Sequence, residues 1–243
     1  MMLNMGGCVA DAKQELQELK KEYQDFAYTM SHDFSTPLRQ INAFAQLIYE
    51  KHASEFDEET KKYFDFIFSG TQKGQDKIDA LLVYSRLNTR AEPFKSIDLT
   101  LCYNQARKEL GEEISASDAT IEVGELPTVD VDAQQMVMLF YHMISNAIKF
   151  QPEGQAPIIH IDAQKTEAGL HINCRDNGIG IPEAYQEQVF DVFYRAVTED
   201  EYPGTGIGLT LVQKIARRHG GDAMVADNDH GSGTLCQVTI YNP

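Results

Sequence analysis

The stretch Tyr28-Thr29-Met30-Ser31-His32-Asp33-Phe34-Ser35-Thr36-Pro37-Leu38 sets one histidine beside one carboxylate, inside a heptad-patterned segment. An imidazole nitrogen is a nucleophile and a proton carrier near neutral pH. A neighbouring carboxylate fixes which ring nitrogen holds the proton. On a helix surface such a pair is often only a solvated face. Here it stands upstream of three further strings whose residue types suit a nucleotide.

The first string is His142-Met143-Ile144-Ser145-Asn146-Ala147-Ile148-Lys149-Phe150. Asn146 is polar among helix-core neighbours, and its neutral carboxamide oxygen suits Mg²⁺, a hard cation that takes oxygen ligands. Lys149 falls on nearly the same helix face, where it can meet phosphate, and His142 lies one turn earlier. By itself this string is more often plain core plus surface. The second is Arg175-Asp176-Asn177-Gly178-Ile179-Gly180-Ile181-Pro182, following an apolar strand. Asp176 can accept from an adenine amino group, and Gly178 and Gly180 permit a close backbone approach. A simple turn leaving a strand is the competing account. The third is Gly204-Thr205-Gly206-Ile207-Gly208-Leu209, opening a helix whose first N–H groups attract phosphate. Its spacing is not that of a Walker loop. Val197 to Pro203, polar and acidic, reads as a lid, with Phe190 and Phe193 as its packing anchors. Arg195 beside it meets either the γ-phosphate or a surface carboxylate.

These residues need elements to position them. Residues 11–89 read as helix–turn–helix. Leu16, Leu19, Tyr23, Phe26 and Met30 make a 3-4 seam, and the stripe then slips through Phe34, Leu38, Ile41, Phe44 and Ile48. Pro37 lies within it and is expected to kink or loosen the helix. Asp57 is placed to cap a second helix carrying Tyr63, Phe64, Ile67, Ile78, Leu81, Leu82 and Leu87. Gly70 and Gly74 are spaced to let another backbone come close. Two such helices cannot bury their stripes alone, so a homodimer through 11–89, forming a four-helix bundle, is expected. Beyond the breaker Thr89-Arg90-Ala91-Glu92-Pro93 the pattern turns to α plus β. Helices are expected near 99–113, 132–150, 183–190 and 206–219. Strands are expected near 119–123, 157–164, 169–175, 222–227 and 233–241. The result is an α/β two-layer sandwich, a mixed sheet with helices on one face. The expected division is a start at 1–10, disordered or left from cloning, then a helical hairpin at 11–91 and an α/β domain at 92–243.

The 243 residues carry a formal net charge of −16, which repels nucleic acid and anionic lipid. No apolar run approaches the length of a membrane span, so no membrane contact is expected from this chain. Cys8, Cys102, Cys174 and Cys236 are far apart in sequence. That spacing argues against a zinc site or disulfide framework and fits the cytoplasm. Cys174 and Cys236 fall in strand-like runs as small core residues.

Taken in order, the histidine hairpin, Asn helix, Asp-Gly loop, Phe-Phe segment and Gly loop resemble a sensor histidine kinase transmitter. The resemblance is to a HisKA-type phosphoacceptor hairpin joined to a GHKL-type ATPase domain. It covers roughly residues 20 to 241 and is strongest at 31–38, 142–150, 176–182 and 204–209. It implies ATP and Mg²⁺ as cofactors, His32 as the phosphorylated residue, Asp33 as its acid/base partner, and Asn146 as the metal ligand. It assigns Asp176 to adenine, and Lys149, Arg195, Gly178, Gly180, Gly204, Thr205, Gly206, Gly208 and Leu209 to the nucleotide site. Thr36 matches the position that orients water when a response regulator is dephosphorylated. The implied partner is the receiver domain of a separate response regulator. No sensor or receiver domain is recognisable in the chain, so it is expected to be the transmitter half of a longer protein or a stand-alone kinase. The residues around His32 are most similar to the light-sensor-linked branch. Three positions depart from the family. His142 stands where a further Asn is common, and its protonation near pH 7 is expected to tune activity. Phe34 and Ser35 replace the usual Leu and Arg, removing a positive charge near the acceptor. The intact His32/Asp33 pair and Asn146 argue against a nucleotide-binding scaffold, and the acceptor hairpin against an ATP-driven conformational machine.

Overall fold

The structure is a computed structural model. It describes the backbone of residues 5–87, 89, 91–167, 169–198, 201–228 and 231–241; the side chains of 5–21, 23–28 and His32 lie outside what it describes. The chain divides into two compact units at Thr89/Arg90, two residues before the expected boundary.

The first unit is a hairpin of α1 (Met5–His52) and α2 (Glu58–Arg86). Helix α1 starts inside the stretch 1–10 that was expected to lie outside the fold; residues 1–4 are outside the described residues. Pro37 sits within α1 without ending it. Asp57 caps α2 as expected, its Oδ1 accepting from the Thr60 N–H at 2.8 Å. Of the two glycines, only Gly74 serves close approach: a Cβ there would lie 3.0 Å from Leu38, whereas Gly70 faces open space.

The inside of the hairpin is small and polar. Ser31, Ser35, Thr71 and Ser85 are buried, while Ala45 and Leu87 are the buried apolar residues among those described. Thr71 donates to Asn42 Oδ1 at 3.1 Å, and Gln75 Nε2 donates to Ser35 Oγ at 3.1 Å. Tyr49, Phe56, Phe64 and Phe68 cluster by the turn, with the Phe56 and Phe64 rings stacked at 5.1 Å. Of the stripe read beyond Met30, only Leu38 turns toward α2. Phe34, Ile41, Phe44 and Ile48 are exposed. Leu16, Leu19, Tyr23 and Phe26 fall on side chains outside the described set.

The second unit begins with β1 (Lys95–Asp98), α3 (Leu99–Glu109), α4 (Gly111–Ala116), β2 (Thr120–Val123), β3 (Thr128–Val131) and α5 (Ala133–Lys149). It continues with β4 (Ile158–Thr166), β5 (Gly169–Asp176), α6 (Gly208–Arg218), β6 (Asp222–Asp227) and β7 (Thr234–Ile240). Five strands form one sheet in the order β2-β4-β5-β7-β6; β2 and β4 are parallel and the rest antiparallel. Helices α5 and α6 pack on it, and α3 packs on α5. The register puts Ile161, Cys174 and Cys236 in one cross-strand row and Ile172 and Val238 in the next. All five are buried. The other face is a polar ladder: Asn173 donates to Asp162 at 2.8 Å, Gln237 to Asn173 at 2.8 Å, and Arg175 pairs with Asp162 at 2.5 Å. That alternation is the period of two expected of a half-buried sheet.

Three expectations need correction. The helix expected at 183–190 is two 3₁₀ turns, Glu183–Tyr185 and Gln188–Phe190, because only Val189 and Phe190 are buried there and no continuous apolar stripe exists. The helix expected from 206 starts at Gly208, since Gly206 has φ +75°, outside helical backbone. The helix expected over 99–113 ends at Glu109, and a separate short helix follows it. The pairing of β1 with β3, each four residues long, was not expected.

Candidate active site

Helix α5 is capped by Asp132, whose Oδ1 accepts from the Gln135 N–H at 3.2 Å. Its buried face carries Met136, Leu139, Phe140, Met143, Ile144 and Ala147. His142, Asn146 and Lys149 follow one another at helical spacing. All three line a cavity of about 340 Å³ within the second unit. The same cavity takes Asp176 from the end of β5, Gly180 from the following loop, Arg195, and Gly204 to Leu209 at the start of α6. The three sequence strings therefore converge on one site.

Asp176 is held rigidly. Its Oδ1 accepts from the N–H of Gly178 at 2.8 Å and of Thr234 at 3.0 Å. Its carbonyl accepts from Asn228 Nδ2 at 2.7 Å. Among the described residues nothing engages Oδ2, which is left to the cavity. Burial raises the carboxyl above its ordinary range, against the lowering by those two backbone N–H groups. The loop after it is tied to the end of α5: the Ile179 N–H donates to the Phe150 carbonyl at 3.0 Å. A Cβ on Gly178 would collide with that same carbonyl, so a glycine is required there. Thr234, Asn228 and Gly233, where a Cβ would run into the Asp176 carbonyl, were not singled out from sequence. The Gly231-Ser232-Gly233-Thr234 string was the available signal.

Lys149 points across the cavity; its Nζ is 2.8 Å from where a Gly204 Cβ would stand. Burial, and then the Arg195 cation, lower its pKa. Arg195 does not hang free toward a phosphate in this structure. Its guanidinium donates to the carbonyls of Gly204, Tyr202 and Thr198, drawing the segment before α6 around itself. Tyr202 anchors the same segment, donating from its hydroxyl to the Gln151 carbonyl at 3.0 Å. Of the two expected anchors, Phe190 is buried, while Phe193 is half-buried and holds a left-handed φ of +65°. Cys174 and Cys236 form part of the cavity floor, and burial pushes the Cys236 thiol up to about 12.

His142 departs from expectation. Burial, and then the nearby Lys149 cation, push its pKa down to about 4. That shift favours the neutral ring near pH 7, against the titration expected there.

On the hairpin, His32 falls on the backbone of α1, and its side chain lies outside the described residues. Asp33 and Thr36 are exposed on the same helix. Ser35 faces α2 and is buried.

An Asn/Lys helix face, an Asp-Gly loop and a glycine-opened helix thus line one cavity beside the mixed sheet of an α/β sandwich. Residues 131–243 match the family of histidine kinase-, DNA gyrase B- and HSP90-like ATPases, and residues 22–90 match the His Kinase A phospho-acceptor domain. The chain belongs to the sensor histidine kinases and constitutes their transmitter region. It is 34% identical over 99% of its length to cyanobacterial phytochrome A of Nostoc sp., covering 31% of that protein. It is 32% identical over 99% of its length to the phytochrome-like protein Cph1 of Synechocystis sp., covering 32% of it. The sensor histidine kinase WalK of Bacillus subtilis is 27% identical over 93% of the chain, which covers 38% of WalK. The chain thus spans about a third of the curated relatives it matches. Among solved structures, full-length ShkA in complex with AMPPNP superimposes with a TM-score of 0.61, at 21% identity, over 90% of this chain and 47% of that one. The histidine kinase ThkA in complex with the response regulator TrrA gives 0.62, at 17% identity, over 95% of this chain and 66% of that one. At those identities the likeness is one of fold.

Proposed function

We propose that this transmitter phosphorylates His32 from MgATP and passes the phosphoryl group to an aspartate on a separate response regulator. The observation that carries the reading is the convergence of Asn146, Lys149, Asp176 and the Gly204–Leu209 segment on one cavity, in a chain that also holds a phospho-acceptor hairpin. Asp176 Oδ2 accepts from the adenine amino group. Lys149 and the first N–H groups of α6 face the phosphates. The Asn146 carboxamide lines the cavity with no side-chain partner among the described residues, which fits a hard cation that draws its other ligands from phosphate oxygens and water. When bound, Mg²⁺ neutralises charge on the transferring phosphoryl group.

Asp33 holds the proton on one nitrogen of His32. The other nitrogen bonds the γ-phosphorus as its bond to the bridging oxygen breaks, and ADP leaves. The regulator's aspartate then takes the phosphoryl group from the imidazole. Thr36, three residues from Asp33 on the same helix, would orient the water that removes it from the regulator. The surrounding relatives support this reading: sensor kinases recur among them, and ThkA is seen with a response regulator.

The test is incubation of the chain with γ-labelled ATP and Mg²⁺. The expected result is an acid-labile, base-stable label on the wild type and none on His32→Gln. Label persisting in the variant would overturn the assignment.

A further inference from the structure

Two of the cysteines face each other across the sheet. The register of β5 on β7 sets Cys174 directly opposite Cys236, with Ile161 and Val225 flanking them in the same row. Both are free thiols, and both line the floor of the cavity. They are close enough for Cys236 to help raise the Cys174 thiol, after burial. A buried cysteine is most often a small apolar core residue. This pair differs in where it stands. The register that ends with Arg175 opposite Leu235 brings Asp176 opposite Thr234 at the next step. Side chains two apart share a face of a strand, so the cysteine pair and the Asp176–Thr234 pair are neighbours on the same two strands. The Thr234 N–H donates to Asp176 Oδ1 at 3.0 Å. A shift of β7 against β5 at the cysteines is therefore felt at that bond.

Directly opposed residues of an antiparallel pair keep their Cβ atoms about 4.5–5.5 Å apart. A disulfide holds them at about 3.5–4.5 Å. Joining the two sulfurs therefore closes the strands by roughly 1 Å at that row. An oxidant the size of water reaches the sulfurs through the cavity. A nucleotide seated against Asp176 covers that route.

We propose that Cys174 and Cys236 are an oxidation site, closed to a disulfide by a peroxide while the cavity is empty, and that the bond weakens nucleotide binding by displacing Asp176 from its clamp with Thr234. The nucleotide half of this rests on the reading of the cavity as the ATP site. Cys236 is 8% exposed and Cys174 2%, so Cys236 meets the peroxide first. Its sulfur, as thiolate, attacks one peroxide oxygen. The O–O bond breaks, leaving a sulfenic acid and a hydroxide that takes up the thiol proton as water. The Cys174 sulfur then attacks the Cys236 sulfur, the S–S bond forms, and the sulfenic oxygen leaves as a second water. Two thiols are oxidised and one peroxide is reduced. Burial keeps both thiols protonated near neutral pH, so the first step is slow and depends on how long the cavity stands empty. A transmitter kept loaded with nucleotide is spared; one left empty under oxidising conditions is silenced until the bond is reduced.

The test treats the reduced full chain with hydrogen peroxide, with and without AMPPNP and Mg²⁺. Remaining thiols are blocked by alkylation, and peptide mass mapping locates the bond. A Cys174–Cys236 disulfide is expected in the nucleotide-free sample. With AMPPNP at about ten times its Kd the cavity is empty about a tenth of the time, so the bond should form about tenfold more slowly. Calorimetry on the oxidised chain should find AMPPNP bound about tenfold more weakly, with the affinity restored by dithiothreitol. Cys174→Ala and Cys236→Ala should each bind AMPPNP equally well before and after peroxide. No Cys174–Cys236 peptide after prolonged peroxide would overturn the proposal alone, as would a bond that leaves AMPPNP affinity unchanged. A loss of affinity that persists in the two variants would place the damage elsewhere and sink it too. Failure of AMPPNP to bind the reduced wild type would overturn the ATP-site reading and the nucleotide half of the proposal, even where the bond maps to the two cysteines.

Discussion

Burial decides what the titratable residues of the ATPase unit can do. His142 is held down to about 4 by burial and by Lys149, and burial also lowers His219. An unfolded histidine titrates near 6.5. Between those values the unfolded chain binds more protons than the folded one, so stability is full above about pH 6.5 and is lost as pH falls toward 4. His142 therefore contributes to that pH dependence. Urea midpoints between pH 7.5 and 5 should fall in the wild type, and His142→Asn should flatten the slope. A variant with the wild-type slope would show that His142 does not sense the interior. Asp176 permits a sharper experiment. In Asp176→Asn, an Oδ1 acceptor can still serve the Gly178 and Thr234 N–H groups, which sets the amide NH₂ where Oδ2 had been. Donor then faces donor at the adenine amino group. A charge-assisted hydrogen bond of about 1.5–3 kcal/mol is lost, so ATP affinity should drop by roughly tenfold to a hundredfold with little change in stability. Calorimetry that finds equal affinity would remove Asp176 from adenine recognition.

At the scale of elements, a cluster outside the cavity fastens the segment that opens the second unit. Asp132 is 1% exposed, and its Oδ2 accepts from the Glu92 N–H at 2.7 Å and pairs with Arg218 at 3.1 Å. Arg218 also donates to the Glu92 carbonyl at 2.7 Å and to Gln135 at 3.0 Å. Phe94 stacks on His219 at 4.6 Å, with the Arg218 guanidinium over its ring at 4.8 Å. His219 in turn accepts from the Asp132 N–H at 3.2 Å, joining α6 to the cap of α5. Asp132→Ala removes a helix cap and one partner of a buried ion pair, a loss of about 3 kcal/mol or more. Arg218→Ala should cost less, since Asp132 keeps its two N–H donors, but should speed hydrogen exchange at the Glu92 amide. Unchanged exchange there would mean that Arg218 does not hold the segment. None of this cluster was legible beforehand, because the bonds that join its three segments span 40 to 126 residues and each member reads alone as a surface charge or core ring. What the sequence did show was local: the alternation of β4, the Asp57 cap and the glycine strings. The Thr234 clamp on Asp176 was missed for the same reason as the Asp132 cluster, since 58 residues separate donor from acceptor. Strands β1 and β3 are too short to carry a period.

At the scale of the whole molecule, the described part of the hairpin leaves a broad apolar surface open to water, beyond what its aromatic cluster and Leu38 cover. Phe66 is 75% exposed and Phe44 65%, with Phe34, Ile41, Leu47, Ile48, Tyr63 and Ile67 also open. A second copy of the same hairpin covers such a surface by two-fold symmetry, in keeping with the phospho-acceptor family matched by residues 22–90. Each substitution on that surface then appears twice in the interface. Burying a phenylalanine side chain is worth about 1.5–3 kcal/mol, so Phe44→Glu or Phe66→Glu removes roughly 3–6 kcal/mol from dimerisation before any cost of burying the new charge. Light scattering at micromolar concentration should report a dimer for the wild type. Either variant should raise its dissociation constant by roughly a hundredfold or more. Because the ATPase unit has its own core, both variants should keep the wild-type affinity for ATP. A wild-type monomer at those concentrations would contradict the bundle. Variants that lose ATP binding together with dimerisation would show instead that the two units do not fold independently.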